Sequence, residues 1–168
     1  MKAILLFYDL DIELQYFPII VIRVLIAFIA GCLIGLERES FVDLPFSQYG
    51  AIFRTYSLVC IGSCLFVIAA KFGFKTDRVA AQIVTGVGFL GAGIIYKNKV
   101  IKGIPTASGI WVTAAIGMLF GCGFYATGIL ATVLAYFIMD LPHRFQKLFL
   151  RMIRKNDPIV HPLKTDND

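Results

Sequence analysis

From Val79 to Met139 the chain carries no Asp and no Glu. The stretch is mostly Val, Ile, Leu, Phe, Ala and Gly, interrupted once by Lys97, Lys99 and Lys102. A water-soluble surface of that length needs carboxylates for solvation, whereas lipid does not. The basic interruption reads as a loop between membrane spans. Composition agrees, with 58% hydrophobic and 16% charged residues, against about 25% charged in ordinary globular domains. Asp9, Asp11 and Glu13 interrupt the apolar core that a signal peptide would need.

The hydropathy pattern predicts an all-α, polytopic membrane helix bundle of about five transmembrane helices. The first three spans are expected near Phe17–Leu36, Tyr56–Phe72 and Val79–Tyr96. The apolar run from Ile104 to Met139 would extend roughly 50 Å as one helix, too long for a ~30 Å hydrocarbon core. Gly121, Gly123 and Gly128 offer a break into a fourth and a fifth span. Eleven of the 16 Lys and Arg residues then fall on one side, in the loops at 37–55 and 97–103 and in the tail. The positive-inside rule places the N-terminus outside and the C-terminus in the cytoplasm.

Residues 1–140 read as the membrane domain, 141–156 as a basic amphipathic helix and 157–168 as a disordered tail. Pro142 is expected to stop the last span. Phe145, Leu148, Phe149, Met152 and Ile153 then form one face, with Arg144, Lys147, Arg151, Arg154 and Lys155 opposite. That pattern suits a helix lying on anionic lipid, with an acidic protein partner as the competing reading. The uneven charge does not form the basic stripe of a nucleic-acid-binding face.

Gly86-Val-Gly88-Phe-Leu-Gly91 satisfies GxGxxG. A dinucleotide site needs a preceding strand and an acidic residue about twenty positions later, and neither is expected here. Together with Gly93, these glycines instead make a thin helix surface for close packing. Ala27, Gly31 and Gly35 repeat that logic in the first span. Thr106, Gly109, Ile110, Thr113 and Gly117 share a small, weakly polar face in the fourth. Such faces suit a compact bundle, extending to a homo-oligomer interface. Cys32, Cys60, Cys64 and Cys122 lie in apolar segments and read as packing residues.

Charged groups at span ends carry more information, since lipid makes them costly unless paired or hydrated. Glu37, Arg38 and Glu39 close the first span, and Arg54 with Thr55 opens the second. Glu37 or Glu39 pairing with Arg54 would fix the two helix ends. Arg78, Gln82 and Thr85 form a polar stripe at the opposite side of the membrane. Arg23, inside the first span, is expected to snorkel outward or to meet the N-terminal acids. No Walker, HExxH or GxSxG pattern is present. The expectation is a non-enzymatic protein without a cofactor, and the sequence assigns no metal ligand. Mg²⁺ is held through carboxylates and retained waters, whereas the predicted membrane interior has no carboxylate, and only Glu37, Glu39, Asp43 and Asp140 lie near its cytoplasmic rim.

Several segments, in order, resemble the MgtC/SapB family of bacterial inner-membrane proteins. They are Gly35-Leu-Glu-Arg-Glu39, Phe53-Arg-Thr-Tyr-Ser-Leu-Val59, Arg78-Val-Ala-Ala-Gln-Ile-Val-Thr-Gly-Val-Gly-Phe-Leu-Gly-Ala-Gly93 and Lys102-Gly-Ile-Pro-Thr-Ala-Ser-Gly-Ile-Trp-Val-Thr-Ala-Ala-Ile-Gly117. The resemblance covers residues 20–138. It implies about five spans and a role in growth at low Mg²⁺ or under acid stress, associated with virulence in some members. It also implies partners such as a magnesium P-type ATPase or an F-type ATP synthase subunit. Magnesium transport is the alternative. The chain departs from the family pattern at Ile52-Phe53 before Arg54-Thr55 and at Pro105. The residues after the last span are too few for the cytoplasmic domain many members carry.

Overall fold

The computed structural model describes the backbone of residues 2–40, 50–74, 76, 78–98 and 100–156, with side chains described between 14 and 141 in those stretches, Asn98 and Val100 excepted. Five α-helices dominate: α1 (Lys2–Glu39), α2 (Ala51–Ile68), α3 (Arg78–Ile94), α4 (Ile104–Cys122) and α5 (Tyr125–Asn156). A π-helical turn, Ala69–Phe74, extends α2. Two three-residue strands, β1 (Tyr96–Asn98) and β2 (Val100–Lys102), pair antiparallel in the basic connection before α4. This hairpin departs from the expected plain loop.

Three helical stretches are long and apolar enough to cross a membrane: Leu14–Glu39, Ala51–Phe74 and Ile104–Cys122. Arg78–Ile94 and Tyr125–Leu141 are shorter apolar helices. On α1 the side facing the protein is small, with Ala27, Ala30 and Gly31 buried beside Ile34. The opposite side exposes Leu25, Ile29, Leu33 and Leu36. Large residues outward and small ones inward is the arrangement lipid favours, because close approach rather than apolarity holds membrane helices together.

The helix α4 is the hub and touches all four other helices. Its buried residues include Ala107, Gly109, Thr113, Ala114, Gly117 and Gly121. Pro105 sits in its first turn, where the missing N–H costs nothing. The break with α5 is a Schellman turn. Gly123, at φ +90, donates its N–H to Phe120 O, and Phe124 N–H reaches Leu119 O. Arg23, read from the sequence as reaching for the surface, is used at this turn. It donates from Nη1 to Gly121 O at 2.8 Å and from Nε to the Tyr125 hydroxyl at 3.3 Å. A cation on the last carbonyls of α4 satisfies orphan acceptors and opposes the negative end of the helix dipole.

Two boundaries differ from expectation. The first helix begins at Lys2, upstream of the span, because Asp9, Asp11 and Glu13 are compatible with helix even where lipid would reject them. Pro142 does not stop α5, which continues to Asn156. Proline removes one hydrogen bond, but its fixed φ is itself helical. Backbone at 142–156 is therefore helical. The side chains of Arg144, Lys147, Arg151, Arg154 and Lys155 lie outside the described residues, as do Asp43 and the tail after Asn156.

Candidate functional site

One end of the bundle collects buried polar groups: Glu37 (6% exposed), Glu39 and Asp140 (both 7%). They come from the last turn of α1 and the middle of α5, and each is held differently. Glu39 reaches the start of α2, where the first backbone N–H groups of a helix have no intrahelical acceptor. Its carboxylate accepts from Gly50 N–H and from Phe53 N–H, the latter at 2.9 Å. A negative group here also meets the positive end of the α2 dipole. Gly50, at φ +83, allows the chain to turn into the helix.

Arg54 lies in the same first turn and donates from Nε to Gly50 O at 3.0 Å. Thr55 turns back onto Ala51 O. The two helix ends are thus joined through Glu39 and the α2 backbone, a link no side-chain pairing argument would find. Glu39→Ala is expected to lower the stability of the purified protein by about 1–3 kcal/mol, the range for losing charged hydrogen bonds to a helix end. Thermal unfolding checks this, and an unchanged midpoint would remove Glu39 as the clasp.

Arg38 points toward α4 and donates from Nη2 to the Thr106 hydroxyl at 3.1 Å. Tyr56, fully buried, donates its hydroxyl to Thr106 O at 3.2 Å. Thr106 therefore receives α1 through its side chain and α2 through its carbonyl. Glu37 has no hydrogen-bond partner on either carboxylate oxygen, and Arg38 Nε also lacks one. A groove of about 730 Å³ opens beside Arg38, between α4 (Pro105, Ser108, Val112) and α5 (Leu134, Ile138, Met139).

The small-residue faces divide sharply. A Cβ added at Gly31 would lie 2.9 Å from Cys60 Cβ and from Ser57 Cα, and one at Gly35 would lie 3.0 Å from Phe53 Cα. A Cβ at Gly109 would meet the Tyr56 hydroxyl at 2.6 Å, and one at Gly117 would fall on Cys60 O. These positions hold α1, α2 and α4 in contact, with Ala27 fully buried among them. Thr113 is fully buried too and returns its hydroxyl to Gly109 O. On α3 only Gly91 faces a neighbour, with its added Cβ 3.5 Å from Ala107 Cβ. Gly86, Gly88 and Gly93 have nothing within 4 Å.

Arg78, Gln82 and Thr85 are exposed on the same helix. Gln82 and Gly86 line a second groove, about 500 Å³, between α3 and α2, where Gly62 and Ser63 form part of the far wall. Among the described residues no group of three or more His, Cys, Asp or Glu gathers as a metal cluster, and the four cysteines are free thiols.

Sequence reasoning passed over Tyr56 as a site residue, although a tyrosine inside an apolar span must find a partner for its hydroxyl. It placed Asp140 only at the rim. The signal was present, since Asp140 is the first carboxylate after sixty-two residues without one.

The MgtC family model matches residues 24–148. The chain is 41% identical over 148 residues to the Escherichia coli K12 protein named "Putative magnesium transporter YhiD", covering 81% of this chain and 65% of that one. It is 42% identical over 111 residues to Protein MgtC of Brucella abortus strain 2308, covering 64% of this chain and 44% of the relative. An uncharacterized protein of Synechocystis is 37% identical over 117 residues, 67% of this chain and 47% of the other. The chain thus spans less than two thirds of the length of these relatives. No solved structure matches. With the family model covering every helix from the middle of α1 into α5, and relatives above 40% identity, the chain belongs to the MgtC family.

Proposed function

We propose that this chain is a five-span bacterial inner-membrane protein, N-terminus outside and C-terminus cytoplasmic, that binds and modulates other membrane proteins during adaptation to low Mg²⁺ or acid stress. The apolar parts of α3 and α5, 17 residues each, are at the short end of what can span a bilayer, about 17–25 residues. The helix continuing from 142 to 156 carries the basic residues that suit an anionic leaflet on the cytoplasmic side. The action is non-enzymatic. Partners of the magnesium P-type ATPase or ATP synthase class fit the family resemblance, and a homo-oligomer fits the same surfaces.

The observation that carries this reading is the thin, uncovered side of α3. Gly86 and Gly93 share one side, open onto or beyond the α2–α3 groove, and Gly88 opens on another. Small residues without a neighbour leave a surface that another transmembrane helix can approach closely. Gentle purification of the tagged protein from crosslinked native membranes, at low and high Mg²⁺, should recover a stoichiometric membrane-protein partner. A clean preparation with no partner at either concentration refutes the binding reading.

Passage of magnesium is the second reading. It is favoured by the name of the Escherichia coli relative and by the buried, unpartnered carboxylate of Glu37. Mg²⁺ flux into proteoliposomes above that of empty vesicles would establish it, and a binding module gives none.

A further inference from the structure

The groove between α4 and α5 has a floor of Gly109 and Ala135, both buried. Its rims are exposed, with Val112 on α4 facing Leu134 and Ile138 on α5. In a bundle that lies in a membrane, such a channel is filled from the bilayer. Half-buried Arg38 lines one end of it. That end is the rim of the bundle, since Arg38 closes α1 and meets Thr106 in the first turn of α4.

A guanidinium carries five N–H donors in a planar fork. Thr106 Oγ1 accepts from Nη2 at 3.1 Å, while Nε is buried and has no hydrogen-bond partner among the described residues. A buried N–H in that condition is unfavourable, and the acceptor that suits it best is a set of anionic oxygens taken by two N–H groups together. The surroundings favour an anion too. The N-terminus of α4 lies at the same end and no side chain caps it. Lys97 and Lys102, exposed on the hairpin before α4, add positive charge. The carboxylates at this end are withdrawn from the surface. Glu37, Glu39 and Asp140 are all buried, Glu39 is held by the α2 backbone, and none of the three lines the groove.

We propose that the α4–α5 groove binds one anionic phospholipid, its phosphate on Arg38 and one acyl chain laid between the two helices. Basic pockets between transmembrane helices hold anionic headgroups, and an apolar cleft with a few placed polar groups is the general form of a ligand site. The chemistry of the two ends argues against other occupants. A free phosphate would leave the apolar channel empty. A transmembrane helix brings no anion to Arg38 and seeks small residues on both walls, which Val112, Leu134 and Ile138 do not offer. The contact also differs from that expected of the basic helix at 142–156, which would rest on many headgroups rather than hold one. The proposal goes beyond the partner-binding reading and requires only that the bundle lie in a membrane.

Native mass spectrometry of the full chain, released from detergent with phosphatidylglycerol or phosphatidylcholine of matched chain length, counts the lipids that stay bound. Wild type should retain one phosphatidylglycerol and prefer it about tenfold, the scale of one charge-assisted contact. Inorganic phosphate should not displace it. Arg38→Gln should lose the preference. Because Arg38 also holds Thr106, Ser108→Phe supplies the second variant. Ser108 is exposed on the groove wall and bonds only its own helix, so a ring there should fill the channel and expel either lipid. Arg151→Gln with Arg154→Gln, on the 142–156 helix, should leave the one lipid in place. No retained lipid on wild type overturns the proposal, as does retention that survives Ser108→Phe or a preference that survives Arg38→Gln. Displacement by inorganic phosphate, loss in the Arg151/Arg154 variant, or a second protein chain held in place of lipid also overturns it.

Discussion

Gly117→Ala is expected to destabilise the protein more than any other addition of one methyl group described above. At this position α4 lies against α2 so closely that the new Cβ would fall on Cys60 O, with Cys60 C at 2.9 Å and Cα at 3.1 Å. All three are backbone atoms of a helix and cannot rotate aside. The two helices must separate, and separation also opens the contacts of Tyr56, Cys60 and Cys64 with Ile110, Ile116 and Phe120. Overpacking of a filled interior costs about 1–3 kcal/mol, and here the whole α2–α4 seam shares the displacement.

Gly88→Ala is the matched control. Its Cβ meets nothing within 4 Å, and alanine gains up to about 1 kcal/mol in helix propensity. The buried thiols of Cys60 and Cys64 report unfolding through a maleimide dye, since they react only when the seam opens. G117A should unmask them at a clearly lower temperature than wild type, and G88A should not. Equal midpoints for the two variants would show that α2 and α4 do not meet at Gly117.

That seam was half visible in the sequence. Gly109, Thr113 and Gly117 announce a thin face at four-residue spacing, and α4 buries them. The sequence cannot say which helix arrives there, because more than one candidate span is apolar enough to pack against it. The same limit explains Glu39. Its partner was sought among side chains, and the donors it meets are the Gly50 and Phe53 N–H groups, which belong to no residue type.

Arg23 was visible as a costly charge but not as the donor to a turn ninety-eight residues later. The break between α4 and α5 was legible from Gly123, whose positive φ is a local requirement. Hydropathy located the parts that lipid tolerates, not the helices themselves, so α1 and α5 both run further than the spans. The hairpin at 96–102 escaped because its strands are three residues long and carry no Asn-Gly or Asp-Gly turn.

The uncovered groove between α2 and α3 yields the other large effect. Gly86→Leu is expected to abolish recovery of the partner from crosslinked membranes while leaving the unfolding temperature close to wild type. Gly86 and Gly62 face the groove from opposite walls, and neither would touch anything with an added Cβ. Leucine at 86 therefore enters open space in the isolated chain and fills the volume a partner helix would occupy. A side chain forced into a packed interface costs about 1–3 kcal/mol, and each 1.4 kcal/mol is about tenfold in affinity.

Gly91→Leu separates this from general damage. Gly91 lies against Ala107, so a large side chain there pushes α3 from α4 and should lower stability as well as partner recovery. The two variants make opposite demands on one helix: G86L spares the fold and loses the complex, and G91L loses both. If G86L keeps its partner at wild-type yield, the α2–α3 groove is filled by lipid alone and the contact surface must be sought elsewhere on the bundle.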